Sequence, residues 1–180
     1  MCSVVGQSTA KFNMKAGFAV FQLADEKGLT DYREHSTQHV GFDILIEKNR
    51  WLFIPGFHYY RMGLSPEEFK TNEIFSERTY MDHVKMPLSV GYHFKPASLF
   101  SFSIYTGGNF NFFISVDDND IGLTNGLFHG VQVHGHIGIQ ALILKHITLD
   151  FIYEHGFLPI YNTRIDSKIR GPSVSLGVIF

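Results

Sequence analysis

Apolar and polar residues alternate along most of the chain, and this two-residue period constrains the fold more than any other feature of the sequence. Eight runs show the alternation, at residues 11–22, 38–47, 51–61, 80–94, 99–115, 127–144, 146–155 and 168–180. A period of two places successive side chains on opposite faces of a β-strand, whereas a helix repeats about every 3.6 residues. The best helix candidate, residues 65–72, is two turns long at most. The sequence therefore predicts an all-β protein with eight strands.

The connections between these runs are alternately long and short. Residues 23–37, 62–79, 116–126 and 156–167 form long connections, whereas residues 48–50, 95–98 and 145 form short ones. In an up-and-down sheet, successive connections fall at opposite ends, so all long connections share one end and both termini lie at the other. Transmembrane barrels show this asymmetry. We expect an eight-stranded antiparallel up-and-down transmembrane β-barrel that forms a single domain over residues 11–180.

The composition of the polar face indicates which face is inside. It is rich in Gly, Ser, Asn, Gln and His, and only 18% of the chain is charged, compared with about 25% in ordinary soluble domains. Aromatic residues also gather beside the short connections, as in the interfacial girdle of a membrane barrel: Trp51, Phe53, Tyr92, Phe94, Phe100 and Phe102. These features predict that the apolar face contacts lipid.

A soluble lipocalin-like barrel that binds an apolar small molecule is the alternative. In such a barrel the faces are reversed. Phe42, Phe102 and Val133 would line a cavity, and the polar set Asp43, Ser103 and His134 would face solvent.

Composition excludes several other classes of protein. The net charge is −2 without a basic block, so nucleic acid is not an expected partner. The single Cys2 excludes a disulfide framework and a cysteine-ligated zinc site. No apolar run approaches the ~20 residues of a membrane-spanning helix.

Residues 1–10 are interpreted as the tail of an export signal. Small residues precede two cleavage positions, after Ser8 and after Ala10, although a basic start and a full apolar stretch are missing. We expect an exported protein of a Gram-negative outer membrane, with both termini in the periplasm.

Charged and imidazole side chains on the polar face would meet inside a narrow lumen. The predicted interior network is Lys15, Asp43, Lys85, His134, His136, Asp150 and Glu154, and Lys11 and Glu47 fall on the same face. Isolated buried ions are costly, so these groups must pair, and we expect a structural network rather than an ion path.

Two functional alternatives use the same polar residues. His134 and His136, with His58, His83 and His93, could bind zinc or copper, but neutral hydrogen-bonded imidazoles are expected, without metal or cofactor. No Ser/His/Asp triad and no Gly-x-Ser-x-Gly motif appears, so no catalytic residue is predicted. A lipid-modifying outer-membrane enzyme stays a further alternative, for which His129, His155 and the acidic residues of the long loops are candidates.

Several segments resemble one family of membrane barrels. They are KFNMKAGF (11–18), YYRMGLSPEEFK (59–70), YMDHVKMPLSVGYHF (80–94), SFSIYTGGNFNF (101–112) and SVSLGVIF (173–180). They are similar to the PorT-like outer-membrane β-barrel domain family of Bacteroidota. The resemblance implies a small barrel without a catalytic motif.

It also implies a C-terminal assembly signal at Gly177, Val178 and Phe180, although Val178 replaces a second aromatic. The expected partners are outer-membrane lipid and the assembly machinery that reads this signal, and the expected state is a monomer. A structural, envelope or adhesion role would be exercised by the long extracellular loops. Pro55, Pro87 and Pro172 fall inside runs and predict bulges or strand boundaries.

Overall fold

A computed structural model describes residues 8–25, 34–64, 79–97, 99–119, 124–161 and 167–180. Its strands are β1 (Thr9–Asp25), β2 (Glu34–Lys48), β3 (Trp51–Leu64), β4 (Thr79–Phe94), β5 (Phe100–Val116), β6 (Val131–Ile143), β7 (Ile147–Gly156) and β8 (Ser167–Ile179). Each strand pairs antiparallel with the next, and β1 pairs with β8 to close the barrel. The predicted eight-stranded antiparallel fold is confirmed. Among the described residues, no helix is both long and apolar enough to span a membrane.

The predicted boundaries need small corrections. β1 begins at Thr9, so the last two residues of the predicted tail belong to the barrel, and residues 1–7 lie outside the described part. The helix candidate at 65–72 also lies outside it. Leu127, predicted in the sixth strand, belongs instead to a short 3-10 helix, Asn125–Leu127, that precedes β6.

Two tight turns close hairpins at one end of the barrel. Asn49 and Arg50 join β2 to β3 with φ of 52° and 71°, and Leu144 and Lys145 join β6 to β7 with φ of 52° and 67°. Two successive residues with positive φ are the mark of type I′ turns, whose twist matches that of the flanking strands. The start of β1 and the end of β8 lie at this same end, which we call the tight-turn end.

The faces of the barrel are the reverse of those of a soluble protein. Large apolar side chains such as Phe18, Ile137 and Leu176 are 67%, 56% and 60% exposed. Asp43, Ser103 and His134, which the soluble alternative places in solvent, are only 4%, 1% and 2% exposed. A soluble protein rarely exposes so much contiguous apolar surface. The lipocalin-like alternative is therefore wrong.

Aromatic side chains form a connected outer band near the tight-turn end. Trp51 meets Tyr92 edge-on with ring centroids 5.7 Å apart, Tyr92 meets Phe94 at 4.9 Å, and Phe94 stacks on Phe102 at 4.7 Å. Such amphipathic and aromatic rings suit the boundary between hydrocarbon and headgroups. The band extends over β3, β4 and β5, as the girdle prediction requires.

The prolines do not mark bulges or strand ends, which corrects the prediction. Pro55, Pro87 and Pro172 lie within β3, β4 and β8, and the strand register is the same on both sides of each. A proline lacks one donor but keeps its carbonyl, so it interrupts a ladder locally without shifting it. The register shift occurs elsewhere, between Asp82 and His83 where β4 pairs with β5.

Apolar side chains also fill both ends of the lumen. Toward the long connections, a cluster that we call the outer cap contains Ala19, Phe21, Tyr60, Met62, Met81, Phe128, Ile160 and Ile169. Toward the other end, the turn-end cap contains Leu45, Leu52, Ile54, Tyr105 and Ile179. In the outer cap, Phe128 bridges to Tyr161 and the His129 amide donates to the Ile160 carbonyl at 2.9 Å. Parts of two long connections therefore close over the mouth.

Arginine substitutions at two adjacent positions of β7 test the face assignment. Leu149 is 45% exposed on the outer face, whereas Thr148 is fully buried and donates to Asn13 Oδ1 at 3.1 Å. In lipid vesicles, Leu149→Arg is expected to lower the free energy of unfolding by ~2–4 kcal/mol, the cost of a cation near the midplane. Thr148→Arg is expected to abolish refolding, because the packed lumen has no room for it. Refolding yield and urea midpoints measure both effects. Normal refolding of Thr148→Arg would contradict the assignment.

Candidate functional site

The middle of the lumen contains a first group of ion pairs, centred on Lys15. Inward positions of β1, β2 and β7 bring Lys15 Nζ to 2.5 Å from Asp43 Oδ2 and 2.9 Å from Asp150 Oδ2. The Tyr105 hydroxyl donates to Asp150 Oδ1 at 2.8 Å. His58 Nε2 lies 2.8 Å from the other oxygen of Asp43. The two carboxylates thus share one ammonium group and have further polar partners, as buried charges require.

A second group is centred on Lys85. Its Nζ donates to both oxygens of Glu154, at 2.7 and 2.9 Å. His134 Nδ1 lies 3.5 Å from Glu154, and Lys85 Nζ sits 3.9 Å above the Tyr60 ring. The ring face attracts the cation most strongly where water is excluded. The Lys85 group therefore joins the ionic middle of the lumen to the outer cap.

The buried carboxylates and ammonium groups of the lumen differ in number. Among the described residues, three interior carboxylates, Asp43, Asp150 and Glu154, face two ammonium groups, Lys15 and Lys85. One negative charge is therefore left over if every interior histidine is neutral. His58 and His134 each contact one of the carboxylates.

Two glycines make room for the tyrosine that contacts Asp150. Tyr105 pairs with Gly91 on β4 and with Gly138 on β6. A Cβ at Gly138 would lie 2.5 to 2.7 Å from Tyr105 ring atoms, and one at Gly91 would lie 2.6 Å from its Cβ. Glycine at position 138 therefore leaves room for the Tyr105 ring, and glycine at position 91 leaves room for its Cβ and for the Ile104 carbonyl.

The other interior histidines are dispersed along the wall. His39 contacts Ser175 at 2.8 Å, His136 contacts Ser89 at 2.7 Å, and His93 contacts Ser103 at 2.8 Å. In the described part of the chain, no three His, Cys, Asp or Glu side chains are grouped so that they could hold a metal ion. Among these residues, the structure therefore contains no group of side chains that could form the zinc or copper site of the alternative hypothesis.

A small cavity of ≈ 30 Å³ separates the two ionic groups. Its walls include members of both, together with His39, Asn109 and His136. Each of these three has a buried polar atom without a protein hydrogen-bond partner. The cavity has room for about two water molecules, which need polar partners of this kind. The apolar side chains of Ile54 and Ile152 are also part of its lining.

The structure places all seven predicted interior residues inside the barrel, but as two groups. Lys15, Asp43 and Asp150 form one; Lys85, His134 and Glu154 form the other; and His136 lies on the cavity wall. Lys11 and Glu47 also fall on the lumen face, where both line a pocket with the buried residues His93 and Gln140. They lie at its mouth rather than in the ionic middle, because Lys11 is exposed and Glu47 pairs with Lys95 at 2.5 Å.

Sequence reasoning missed the neutral partners of the charges. Gln140 donates to both oxygens of Asp150 at 3.1 Å, and Asn111 contacts His134 at 3.0 Å. The alternation of the sequence predicts only that Gln140 and Asn111 lie on the polar face. Their specific partners depend on the barrel register, which no short-range pattern reveals.

The C-terminal residues lie at the seam between β8 and β1. The Phe180 amide donates to the Phe12 carbonyl at 2.9 Å, and Val178 points outward. A Cβ at Gly177 would lie 2.6 Å from Asn13 Oδ1 and 2.9 Å from Lys15 Cγ. Gly177 therefore leaves room for Lys15, a packing role that is independent of any assembly signal.

Comparisons with known proteins agree with this architecture. A family model described as "Outer membrane protein beta-barrel domain" matches residues 6–162. Neisserial surface protein A is similar in structure, with a TM-score of 0.61 and 17% identity over 96% of this chain and 99% of that one. Ail, the attachment invasion locus protein of Yersinia pestis, was solved with the heparin analogue sucrose octasulfate. It has a TM-score of 0.53 and 14% identity over 95% of this chain and 99% of that one. No curated protein sequence matches. At these identities the two structures indicate the fold alone.

Removal of one member of the Lys85–Glu154 pair is expected to destabilise the barrel strongly. Lys85→Met leaves a buried carboxylate without its ammonium partner, which costs ~3–5 kcal/mol. Lys85→Met/Glu154→Leu removes both charges and is expected to recover most of that loss. Urea unfolding in detergent micelles measures the coupling.

The exposed pair Lys95–Glu47 is the matched control. Its side chains are 51% and 19% exposed, so the corresponding single substitutions are expected to cost less than about 1 kcal/mol. Additive losses in the Lys85/Glu154 cycle would contradict a paired buried interaction.

Proposed function

The chain belongs to the outer membrane protein β-barrel domain family, and from this premise we propose that it is a closed anchor that displays its long connections at the cell surface. There the connections make contacts of an envelope or adhesion type. The membership indicates an outer-membrane location. Assignment to the PorT-like group of Bacteroidota is part of the proposal, supported by the sequence segments quoted above.

The filled lumen is the observation that carries this proposal. The outer cap and the turn-end cap enclose the ion pairs of Lys15 and Lys85. Barrels of eight strands generally leave an interior just wide enough for side chains. The buried carboxylates and imidazoles contact one another inside this enclosed space. We therefore include neither conduction nor catalysis in the function.

The placement of the connections supports a surface role. The four longer connections follow β1, β3, β5 and β7, so they share one end, and the tight turns share the other. In bacterial membrane barrels the long loops are extracellular and the short turns periplasmic. On this basis the termini lie in the periplasm.

The acidic residues of two long connections bear on the charge that a surface partner can have. Residues 65–78 contain Glu67, Glu68, Glu73 and Glu77 against Lys70 and Arg78. The connection after β5 begins with Asp117 and Asp118 and contains neither Lys nor Arg. Ail was solved with an anionic heparin analogue. Acidic connections repel such a ligand, so we propose a neutral or cationic surface partner instead.

Closure also supports the proposed monomer and the proposed assembly route. Because β1 pairs with β8, no strand edge is left for another chain. Phe180 is 74% exposed at the end of the closing strand. It is thus accessible to the assembly machinery, with Gly177 and Val178 preceding it, and the outward apolar face contacts outer-membrane lipid.

Epitope insertion tests the orientation on which the surface role depends. A tag inserted after Glu73, in a long connection, is expected to bind antibody on intact cells. The matched tag after Pro96, in a short connection, is expected to bind only after the outer membrane is permeabilised. Heat-modifiable migration of both proteins on gels confirms that they fold. Labelling of the Pro96 insertion on intact cells would contradict the proposal.

A further inference from the structure

Basic side chains surround the tight-turn end of the barrel. Lys11, Lys48, Arg50, Lys95 and Lys145 are all exposed there. Glu47 is the one carboxylate side chain among the described residues of this rim, and it pairs with Lys95. We call these five cations the basic ring. Like charges at one rim of the barrel raise the local positive potential and attract anions.

The ring follows the circumference rather than one side. Lys11 is near the start of β1, Lys48 and Arg50 flank the β2–β3 turn, Lys95 follows β4, and Lys145 is in the β6–β7 turn. A globular partner would contact one side of the rim. A lipid leaflet contacts every side, and this arrangement therefore fits a leaflet better.

Aromatic and apolar side chains of the outer face flank most members of the ring. Arg50 precedes Trp51 and Lys95 follows Phe94, and these aromatic residues border the outward apolar face, whereas Lys11 lines the mouth of the lumen. Leu144, beside Lys145, is 55% exposed. Lysine and arginine next to interfacial aromatics reach the phosphate level of a bilayer while their stems stay in apolar surroundings.

We propose that the basic ring binds the anionic headgroups of phospholipids in the leaflet at the tight-turn end. The inference rests on the proposed membrane barrel and adds a lipid class and a set of binding residues to it. Clustered Lys and Arg side chains at a membrane surface bind acidic lipids through Coulomb attraction. At the opposite end, residues 65–78 and the connection after β5 are acidic, and residues 26–33 and 157–166 each carry equal numbers of acidic and basic side chains.

The only tryptophan of the chain reports on the lipid beside the ring. Trp51 is 60% exposed, follows Arg50 and pairs directly with Lys48 across the β2–β3 hairpin. Bromine atoms on lipid acyl chains quench tryptophan on contact. Its fluorescence therefore measures the composition of lipid next to Lys48 and Arg50.

The experiment uses the full chain refolded into phosphatidylcholine vesicles that contain about one-fifth phosphatidylglycerol. In one preparation only the phosphatidylglycerol is brominated; in the other an equal amount of phosphatidylcholine is brominated. The expected quenching corresponds to about a two- to three-fold enrichment of phosphatidylglycerol at Trp51. About 0.5 M NaCl is expected to remove the enrichment, because it screens interactions with exposed charges.

Variants identify the residues responsible. Lys48→Gln/Arg50→Asn is expected to abolish the enrichment; asparagine tolerates the positive φ of position 50. Arg61→Gln/Lys168→Gln removes the same charge near the opposite ends of β3 and β8 and is expected to leave the enrichment unchanged. Enrichment that survives in the first variant would overturn the proposal.

Other outcomes separate this inference from the proposed function. Equal quenching by both brominated lipids in the wild-type protein overturns the lipid inference while the membrane barrel stands. If poly-glutamate then shifts the Trp51 emission, the ring binds an acidic polymer instead. Quenching by neither lipid means that Trp51 is not in a bilayer, and then the proposed membrane barrel itself fails.

Discussion

Closure of the hydrogen-bonded sheet is the constraint on which the rest of this structure depends. Lipid offers no partner for a backbone amide or carbonyl, so a sheet can span a membrane only if it has no free edge. Pairing of β1 with β8 meets this requirement, and the Phe180 amide extends the seam to the Phe12 carbonyl. Once the sheet is closed, the alternation of side chains along each strand directs every side chain either to the lipid or to the lumen.

The closed lumen also contains buried carboxylates, whose charges must be neutralised. Interior Asp43, Asp150 and Glu154 are charged groups in a space that water hardly enters, and their neutralisation depends on Lys15 and Lys85. Asp43 lies on β2, which pairs with the β1 strand of Lys15. The Lys15–Asp150 and Lys85–Glu154 pairs instead link β1 and β4 to β7, strands that the backbone ladder does not join. These two pairs help to fix the packing of the interior between two apolar caps.

The sequence predicted the strands, the face that meets lipid and the seven interior polar residues, because each depends only on local alternation. It did not predict the caps. Leu45, Leu52 and Met81 are apolar residues at lumen positions, which the polar character of that face concealed. Nor could it show that Glu47 turns to Lys95 at the rim. Such contacts depend on strand register and on connections that fold inward at Phe128 and Ile160.

Single cysteines at two adjacent positions of β5 test the central claim, that the apolar face meets lipid and the polar face is sealed inside. In a Cys2→Ser background, Ser103→Cys is nearly isosteric at a 1% exposed site, and Ile104→Cys replaces a side chain that is 44% exposed. After refolding in vesicles, a fluorophore attached to the Ile104→Cys variant is expected to be quenched by nitroxide lipids and not by aqueous iodide. The thiol of the Ser103→Cys variant is expected to resist a water-soluble maleimide until the barrel is unfolded. Rapid labelling of that thiol in the folded protein, with iodide quenching in the Ile104→Cys variant, would contradict the account.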